Sequence, residues 1–432
     1  MFESLLYKLM GRRPPVALQR QASSALQPGC YGYSSPQPVS ELALPNAVGV
    51  QWQQLAVTTT TEAARLAGLL IDCRQLRHVS ELQQLMVLLQ QQLARLQNQS
   101  PILFISDSVS VLSAEHSACQ SGLTGFVRSL AKELGGKACR VNLLDLAGAD
   151  WSAAQASMQF FLSSASCYVS GQLLRLSPSR PAQLFCGHTN ALTGKTALVT
   201  GASRGIGKAI ATQLAAGGAF VIGLDLPSAS AVLGPLMQSL QGHSITLDLT
   251  AEDAPAALLA ALAERQLKLD ILVHNAGVTR DRTLKNMTVT DWQLVLELNL
   301  GAQIRLNDAL LGSAQLAEQV AFVSLSSING LAGQRGQCNY ACAKSALTGY
   351  IQSMAQRYPS HRFNAVAPGF IRTDMTAKMP WLIREIGQRF NSLGQAGEPL
   401  DVAQAVSYLA RPDNSACNAQ VLRVCGQSLV GA

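Results

Sequence analysis

Tyr340 and Lys344 stand four residues apart in the stretch GQRGQCNYACAKSAL, where the apolar spacing predicts a helix from about Asn339 to Tyr358, so both side chains project from one face. A free tyrosine ionises near pH ~10, and an ammonium beside it is expected to stabilise the phenolate and lower that value. Ser327 ends the predicted strand QVAFVSLSS, 13 residues before Tyr340. Its hydroxyl there could hold a carbonyl oxygen within hydrogen-bond reach of the phenol. The chemistry these three side chains point to is proton transfer to and from the oxygen of a ketone or secondary alcohol.

A proton on oxygen needs a hydride on carbon, and the sequence carries a place for its donor. Thr200-Gly201-Ala202-Ser203-Arg204-Gly205-Ile206-Gly207 follows the strand KTALVT and opens an Ala-rich helix. Gly201 permits a tight turn, Gly205 lets the backbone approach a pyrophosphate, and Gly207 lets helix pack on strand. The helix amino terminus then offers free N–H groups and a partial positive charge to the phosphates, with Ser203 and Ile206 inside the same turn. Asp225 ends the next strand, where a carboxylate accepts from adenosine ribose hydroxyls and repels a 2′-phosphate. Arg204 argues the other way, since a guanidinium can grip that phosphate. The balance favours NAD(H), with NADP(H) the alternative. Asp248, with Leu249 after it, follows a third strand and is placed to meet the adenine amino group or simply to start a helix.

These residues require elements that bring them together. After Thr193, short apolar runs alternate with helical patterns: TALVT, AFVIGLD, DILVHNAG, QVAFVSLSS, RFNAVAPG and QVLRVCG, separated by helices near Ile206, Pro255, Asp291 and Asn339. Such alternation predicts a doubly wound parallel sheet, a Rossmann fold, binding ligands at the carboxyl ends of its strands. Around Leu176 to Thr193 a Ser/Pro/Gly-bearing stretch suggests a boundary, dividing the chain into domains over 1–185 and 193–432. A segment from about Gln21 to Asn46, rich in Ser, Pro, Gln and Gly, is expected to be loosely ordered.

The first half reads as a weaker copy of the second. Ser121, Leu123, Thr124, Gly125, Ser129 and Ala131 recur 224 residues later as Ser345, Leu347, Thr348, Gly349, Ser353 and Ala355. ILFISDS then answers to AFVSLSS, and RVNLLDLAG at Arg140 to RFNAVAPGF at Arg362. In this register His116 stands for Tyr340 and Gln120 for Lys344, and no glycine-rich turn follows the early strand. The first half is therefore expected to be a smaller, degenerate, flavodoxin-like α/β domain without catalysis.

Composition excludes much else. Of 432 residues 48% are hydrophobic and 14% charged, without charge runs, which argues for a globular protein. The net charge of +7 suits anionic ligands, but the cations are too scattered to suggest nucleic acid. Ten cysteines lack metal-ligand spacing, so no metal site is expected and the thiols are read as reduced. The amino terminus places its apolar residues before its arginines, unlike a secretory signal, and nothing else reaches membrane-spanning length free of charge. A cytoplasmic protein without a membrane partner is the expectation.

Taken in order, the Thr200–Gly207 turn, Asn275-Ala276-Gly277, Asn299, Ser327, Tyr340, Lys344 and the pair Pro368-Gly369 resemble the short-chain dehydrogenase/reductase family. The resemblance implies that Asn299 completes a catalytic tetrad with a proton relay through water, and that Lys344, with Tyr340, also binds the nicotinamide ribose. It carries Asn275, Ala276, Gly277, Pro368, Gly369 and Thr373 over as cofactor-binding positions. His274 departs from the family, which usually has Asn there. AGVTRDRTLKNM, GQRGQCNYACAKSAL and FNAVAPGFIRTDMT resemble the 3-oxoacyl-(acyl-carrier-protein) reductases, and the degenerate first copy with the ending RVCGQSLVGA resembles their high-molecular-weight subgroup. The resemblance thus implies an acyl thioester substrate on acyl-carrier protein or coenzyme A, a role in fatty acid biosynthesis and a homodimer. It also implies that a segment from Thr373 to about Asn391, bearing Met375, Met379, Trp381, Leu382 and Ile386, closes over the acyl chain. Arg280, Arg282 and Arg335 are candidates to meet the anionic carrier. The nearest alternative is the same fold acting on another secondary alcohol, such as a 3-hydroxyacyl coenzyme A, a steroid or a sugar derivative. A non-enzymatic NAD-sensing scaffold is the alternative of a different class.

Overall fold

The computed structural model of the chain describes residues 14–21, 25–35, 44–45, 47–55, 64–177, 190–377 and 379–428, without the side chain of Met375. Residues 178–189 of the expected boundary stretch Leu176–Thr193 and the last residues of the tail therefore lie outside the described residues.

The first half forms β1 (Gly29–Ser34), β2 (Val50–Gln54), β3 (Leu66–Asp72), α1 (Val79–Leu93), β4 (Pro101–Ser106), α2 (Ala114–Leu134), β5 (Arg140–Asp145), α3 (Gln155–Leu162) and β6 (Leu173–Arg175). Its strands pair in parallel in the order β2-β1-β3-β4-β5-β6, a flavodoxin-like sequence of strands. β4 and β5 are buried along their whole length, as the near-continuous apolar run of a strand covered on both faces requires. β1 is a correction: it lies inside the segment expected to be loosely ordered. Tyr31 and Tyr33 are buried, and it is their alternate spacing, hidden among polar neighbours, that anchors the strand.

The second half runs β7 (Thr196–Thr200), α4 (Gly205–Ala216), β8 (Phe220–Asp225), α5 (Ser230–Ser239), β9 (His243–Thr246), α6 (Ala254–Glu264), β10 (Leu269–His274), α7 (Val289–Leu296), a π-helical turn at Glu297–Gly301 and α8 (Ala302–Leu311). It continues with β11 (Leu316–Leu325), α9 (Ile328–Ala332), α10 (Cys338–Arg357), β12 (Arg362–Pro368), α11 (Asp374–Ala377), α12 (Trp381–Arg389), α13 (Pro399–Ala410) and β13 (Val421–Val424). The order β13-β12-β11-β10-β7-β8-β9 is wholly parallel. Strand order reverses between β7 and β10, and the crevice beyond their carboxyl ends is where such a sheet takes a ligand.

Side chains alternate across each sheet, which sorts the apolar residues into layers. Leu69, Ile71, Ile102 and Phe104 face α1 and α2. Leu70, Leu103 and Ile105 face the opposite way, into a cluster that also holds Phe160 and Phe161 of α3, Val402 and Tyr408 of α13, and Val199 and Val273 of the second sheet. The other face of the second sheet packs Leu198, Leu272 and Phe322 against α6 and α8. The two halves thus share one central apolar layer. Within it Phe160 stacks on Tyr408 with ring centroids 4.2 Å apart, and Ser157 Oγ lies 2.7 Å from the Tyr408 hydroxyl.

The repeat read in the sequence is visible in the bonding. Asn142 of β5 donates to Val169 O and accepts from Gln172 N; Asn364 of β12 donates to Cys417 O and accepts from Gln420 N. Arg140 and Arg362, two positions earlier, are both buried and both donate to backbone carbonyls. The divergence lies at the carboxyl end. Gln120 gives its amide to Cys73 O and Leu76 O, and His116 is buried with Nδ1 accepting from Leu112 N. Among the described residues, no helix is long and apolar enough to cross a membrane, and no cluster of His, Cys, Asp or Glu suits a metal.

Candidate active site

The strand β7 delivers Thr200 into a turn whose geometry depends on glycine. At Gly207 a Cβ would run into the carbonyl oxygen of Gly201, so only glycine lets α4 approach the strand end this closely. At Gly205 φ is +55°, and a Cβ there would meet nothing nearer than Thr373 Cγ2 at 3.9 Å. No side chain caps α4, so the first N–H groups of the helix have no side-chain acceptor at this turn. That cradle fits a pyrophosphate.

Around it the expected cofactor positions converge. Asp225, at the end of β8, accepts from Ser203 N at 3.0 Å and from Leu226 N at 2.9 Å, which fixes its carboxylate beside the turn. Arg204 is exposed. Asp248 is exposed and accepts from Thr250 N and Oγ1, so it caps its own turn; Leu249 behind it is buried. Asn275 Nδ2 donates to Thr200 O and Gly201 O, both at 3.0 Å, tying β10 to the glycine turn. Thr200 Oγ1 accepts from Asn275 N and Ala276 N. The sequence reading gave Thr200 no role of its own, although it heads the quoted motif. Pro368 and Gly369 leave β12 on the same side, and Gly369 N donates to Val424 O.

The residues expected to transfer protons lie at the ends of β11 and α10. Ser327 is the N-cap of α9 and accepts from Asn329 N at 3.1 Å; its hydroxyl is near enough to the half-buried Tyr340 phenol to pull its pKa down. Lys344 is buried, with Nζ 5.6 Å from the centre of the Tyr340 ring and donating to Leu325 O at 2.7 Å. Ser326 Oγ donates to Lys344 O, locking helix to strand. Asn299 sits in the π-helical turn, the kind of irregularity that re-aims a side chain. Its Nδ2 donates to Val278 O and Val295 O at 2.8 Å, whereas its buried Oδ1, beside Gly277 and Lys344, has no partner among the described residues. Gln303, itself accepting from Ser324, donates to the Asn299 carbonyl. These supporting residues carried no signal in the sequence, because their spacing is meaningful only once the π turn is known.

The electrostatics correct one expectation. Burial pushes the Tyr340 phenol above its ordinary value, against the pull of the Ser327 hydroxyl, and Asp281 adds to the rise. The ammonium does not bring it down: Lys344 is itself lowered to about 7 by burial, and its Nζ is turned to Leu325 O. His274, the departure from the family pattern, is buried and bonds Asn307 at 2.8 Å, which bonds Tyr350. Burial brings its pKa to about 4, leaving it a neutral structural partner at working pH.

Two further expectations concern the mouth. Arg280, Arg282 and Arg335 are exposed, and Arg282 pairs with Asp291 at 3.2 Å. In α11, α12 and the turn between them, Met379, Trp381, Leu382 and Ile386 stay exposed, together with Ile383 and Phe390. The buried face of α12 carries Glu385 and Gln388 instead.

Comparison with known proteins gives the family of the second half. Residues 201–426 match the family described as enoyl-(acyl carrier protein) reductase. The chain is 39% identical over 237 residues to the 3-oxoacyl-(acyl-carrier-protein) reductase FabG of Vibrio cholerae, covering 54% of this chain and 97% of the relative. It is 36% identical over 240 residues to FabG of Escherichia coli K12, covering 54% and 96%, and 34% identical over 242 residues to that of Thermotoga maritima, covering 54% and 98%. The chain belongs to the short-chain dehydrogenase/reductase family. It is an NAD(P)H-dependent oxidoreductase acting on a CH–OH/C=O couple.

Proposed function

We propose that the chain reduces the 3-keto group of an acyl thioester to a 3-hydroxyacyl thioester, with Asn299, Ser327, Tyr340 and Lys344 as its catalytic residues. The observation that carries this reading is the Tyr340 ring set 5.6 Å from Nζ of buried Lys344, with the Ser327 hydroxyl acting on its phenol, in a chain whose 379–390 segment has an apolar outer face. That face suits an acyl chain better than a sugar.

The nicotinamide, when bound, supplies the hydride to C3. Ser327 holds the substrate oxygen, and Tyr340 gives its proton to the forming alkoxide. A phenol raised above its ordinary value stays protonated through neutral pH, the state that reduction needs. Lys344, titrating near neutrality, is suited to pass a proton onward, and the unpartnered Asn299 Oδ1 offers an acceptor for the relay. Gly201, Ser203, Arg204, Gly205, Ile206 and Gly207 hold the pyrophosphate; Asp225 the adenosine ribose; Asp248 and Leu249 the adenine; Asn275, Ala276, Gly277, Pro368, Gly369 and Thr373 the nicotinamide end. The backbone-fixed carboxylate of Asp225 supports NAD(H) over NADP(H), because a second anion beside it is disfavoured.

The carrier is acyl-carrier protein or coenzyme A, and the working form is a homodimer in which the first half takes no part in chemistry. Steady-state reduction of acetoacetyl coenzyme A with NADH and NADPH in parallel tests the proposal. Turnover with NADH preferred supports both parts; NADPH preferred overturns the role of Asp225; no turnover with this thioester or its carrier-protein counterpart overturns the substrate class.

A further inference from the structure

The segment that follows β12 leaves the sheet at Phe370 and returns at Gly397, and its two ends are bonded to each other. Gly397 N donates to Phe370 O, Arg372 N donates to Gly397 O, and Ile371 bridges Gly397 in parallel. Everything from Thr373 to Phe390, including the exposed apolar face of α12, hangs from this closed base. The returning limb, Asn391 to Gly397, is tied within the second half through Ser392 to Gln427 and Asn391 to Ser428, and its remaining grip comes from the other half of the chain. Tyr168, fully buried between α3 and β6, donates its hydroxyl to Gln395 O at 2.9 Å and accepts from Asn391 Nδ2 at 3.2 Å. Asn391 Nδ2 also reaches Gln388 O and Gln395 O, so a single phenol joins the last turn of α12 to the base.

Packing enforces the same contact. A Cβ on Gly397 would lie 2.5 Å from the Tyr168 ring, so the hinge backbone rests directly on that ring, and Gly426 N donates to Tyr168 O from the other side. The leading segment adds a strap. Arg20 Nε donates to both Asp401 oxygens, at 2.9 and 3.1 Å, and its Nη2 to Ala396 O, while Gln395 Nε2 donates to Val16 O. Asp401 in turn accepts from Glu398 N at the start of α13. The hinge is thus gripped on three sides by residues that lie outside the second half's own Rossmann fold.

We propose that Tyr168 is a positioning residue for substrate binding, and that the non-catalytic half serves as the fixed post on which the acyl-covering segment turns. The inference rests on the reading that residues 373–390 cover the acyl chain. Removing the hydroxyl takes one donor from the Gln395 carbonyl and one acceptor from Asn391 Nδ2, loosening the base while leaving the glycine turn and the Ser327–Tyr340 pair intact. The effect therefore falls on substrate affinity and on the segment's protection, not on the chemical step.

The test uses the full chain carrying Tyr168→Phe, with Asn391→Ala and the double variant beside it. Expected are a KM for the 3-oxoacyl thioester raised about five-fold, kcat and NADH affinity each within about two-fold of wild type, and faster hydrogen exchange confined to residues 370–397. The double variant should fall short of the sum of the two single ones, since both changes break the Tyr168–Asn391 contact while each also removes bonds of its own. Unchanged exchange in 370–397 overturns the proposal, as does a loss of NADH affinity parallel to the loss of thioester affinity, which signals general loosening. If Tyr168→Phe does not fold, Asn391→Ala alone decides by the same readouts. Should the wild type turn over no 3-oxoacyl thioester, the substrate reading fails, yet the exchange measurement still decides whether Tyr168 fixes the hinge.

Discussion

At Tyr340 the balance between burial and the nearby Ser327 hydroxyl sets which protonation state of the phenol prevails. Because burial holds the phenol up, its protonated form dominates at neutral pH, and on the proposed mechanism Tyr340→Phe should lower kcat by about 10³-fold while NADH still quenches or shifts protein fluorescence as in the wild type. Loss of NADH binding in that variant would point to a cofactor-holding role instead. Lys344 yields a stability prediction with a definite sign. Its folded pKa of about 7 lies below that of a free lysine, so folding is opposed by the desolvated ammonium at pH 7 and below, and the opposition fades as pH rises towards the unfolded value. Thermal melts of cofactor-free Lys344→Met should therefore lie above wild type at pH 6.5, with the gap closing towards pH 9.5. A gap constant across that range would mean that the shift is not the cause.

The elements show why some of this was legible in the sequence and some was not. Thr200 to Gly207 was readable because a strand, a turn and a helix start were all present in contiguous residues, and Gly207 states its own reason in the structure. Gly207→Ala should cost about 1–3 kcal/mol of stability and weaken cofactor binding, measured by thermal melt and by NADH fluorescence titration; an alanine variant with wild-type affinity would show that the turn does not hold the pyrophosphate. Tyr340, Lys344 and Ser327 were legible by spacing, but the direction of the Tyr340 shift was not, since it depends on how deeply α10 sits and where Lys344 Nζ turns. β1 was misread because Tyr31 and Tyr33 are flanked by residues that look like loop. α13 escaped notice because its apolar positions run nearly all the way round, a pattern that makes sense only for a helix buried between two sheets.

For the whole molecule, the decisive feature is the central layer in which α3 of the first half packs on α13 of the second. The Phe160–Tyr408 stack alone adds about 0.5–1.5 kcal/mol beyond the area it buries, and Leu70, Leu103 and Val199 belong to the same cluster. The halves should therefore unfold in a single transition by fluorescence and circular dichroism alike. A truncated chain beginning at Leu192 should be less stable and should self-associate through the bared face of α13. Two separate transitions, or a truncated chain as stable as the whole, would show that the layer does not couple them. The strands β5 and β12, with Asn142 and Asn364 in matching bonds, further suggest that the first half occupies a place that another copy of the second could fill. Covalent linkage changes what dilution does to such a pairing. A partner held by the same polypeptide is present at an effective concentration that no change in cellular abundance alters, so the grip of Tyr168 on the hinge persists even where a chain is too scarce to find its like.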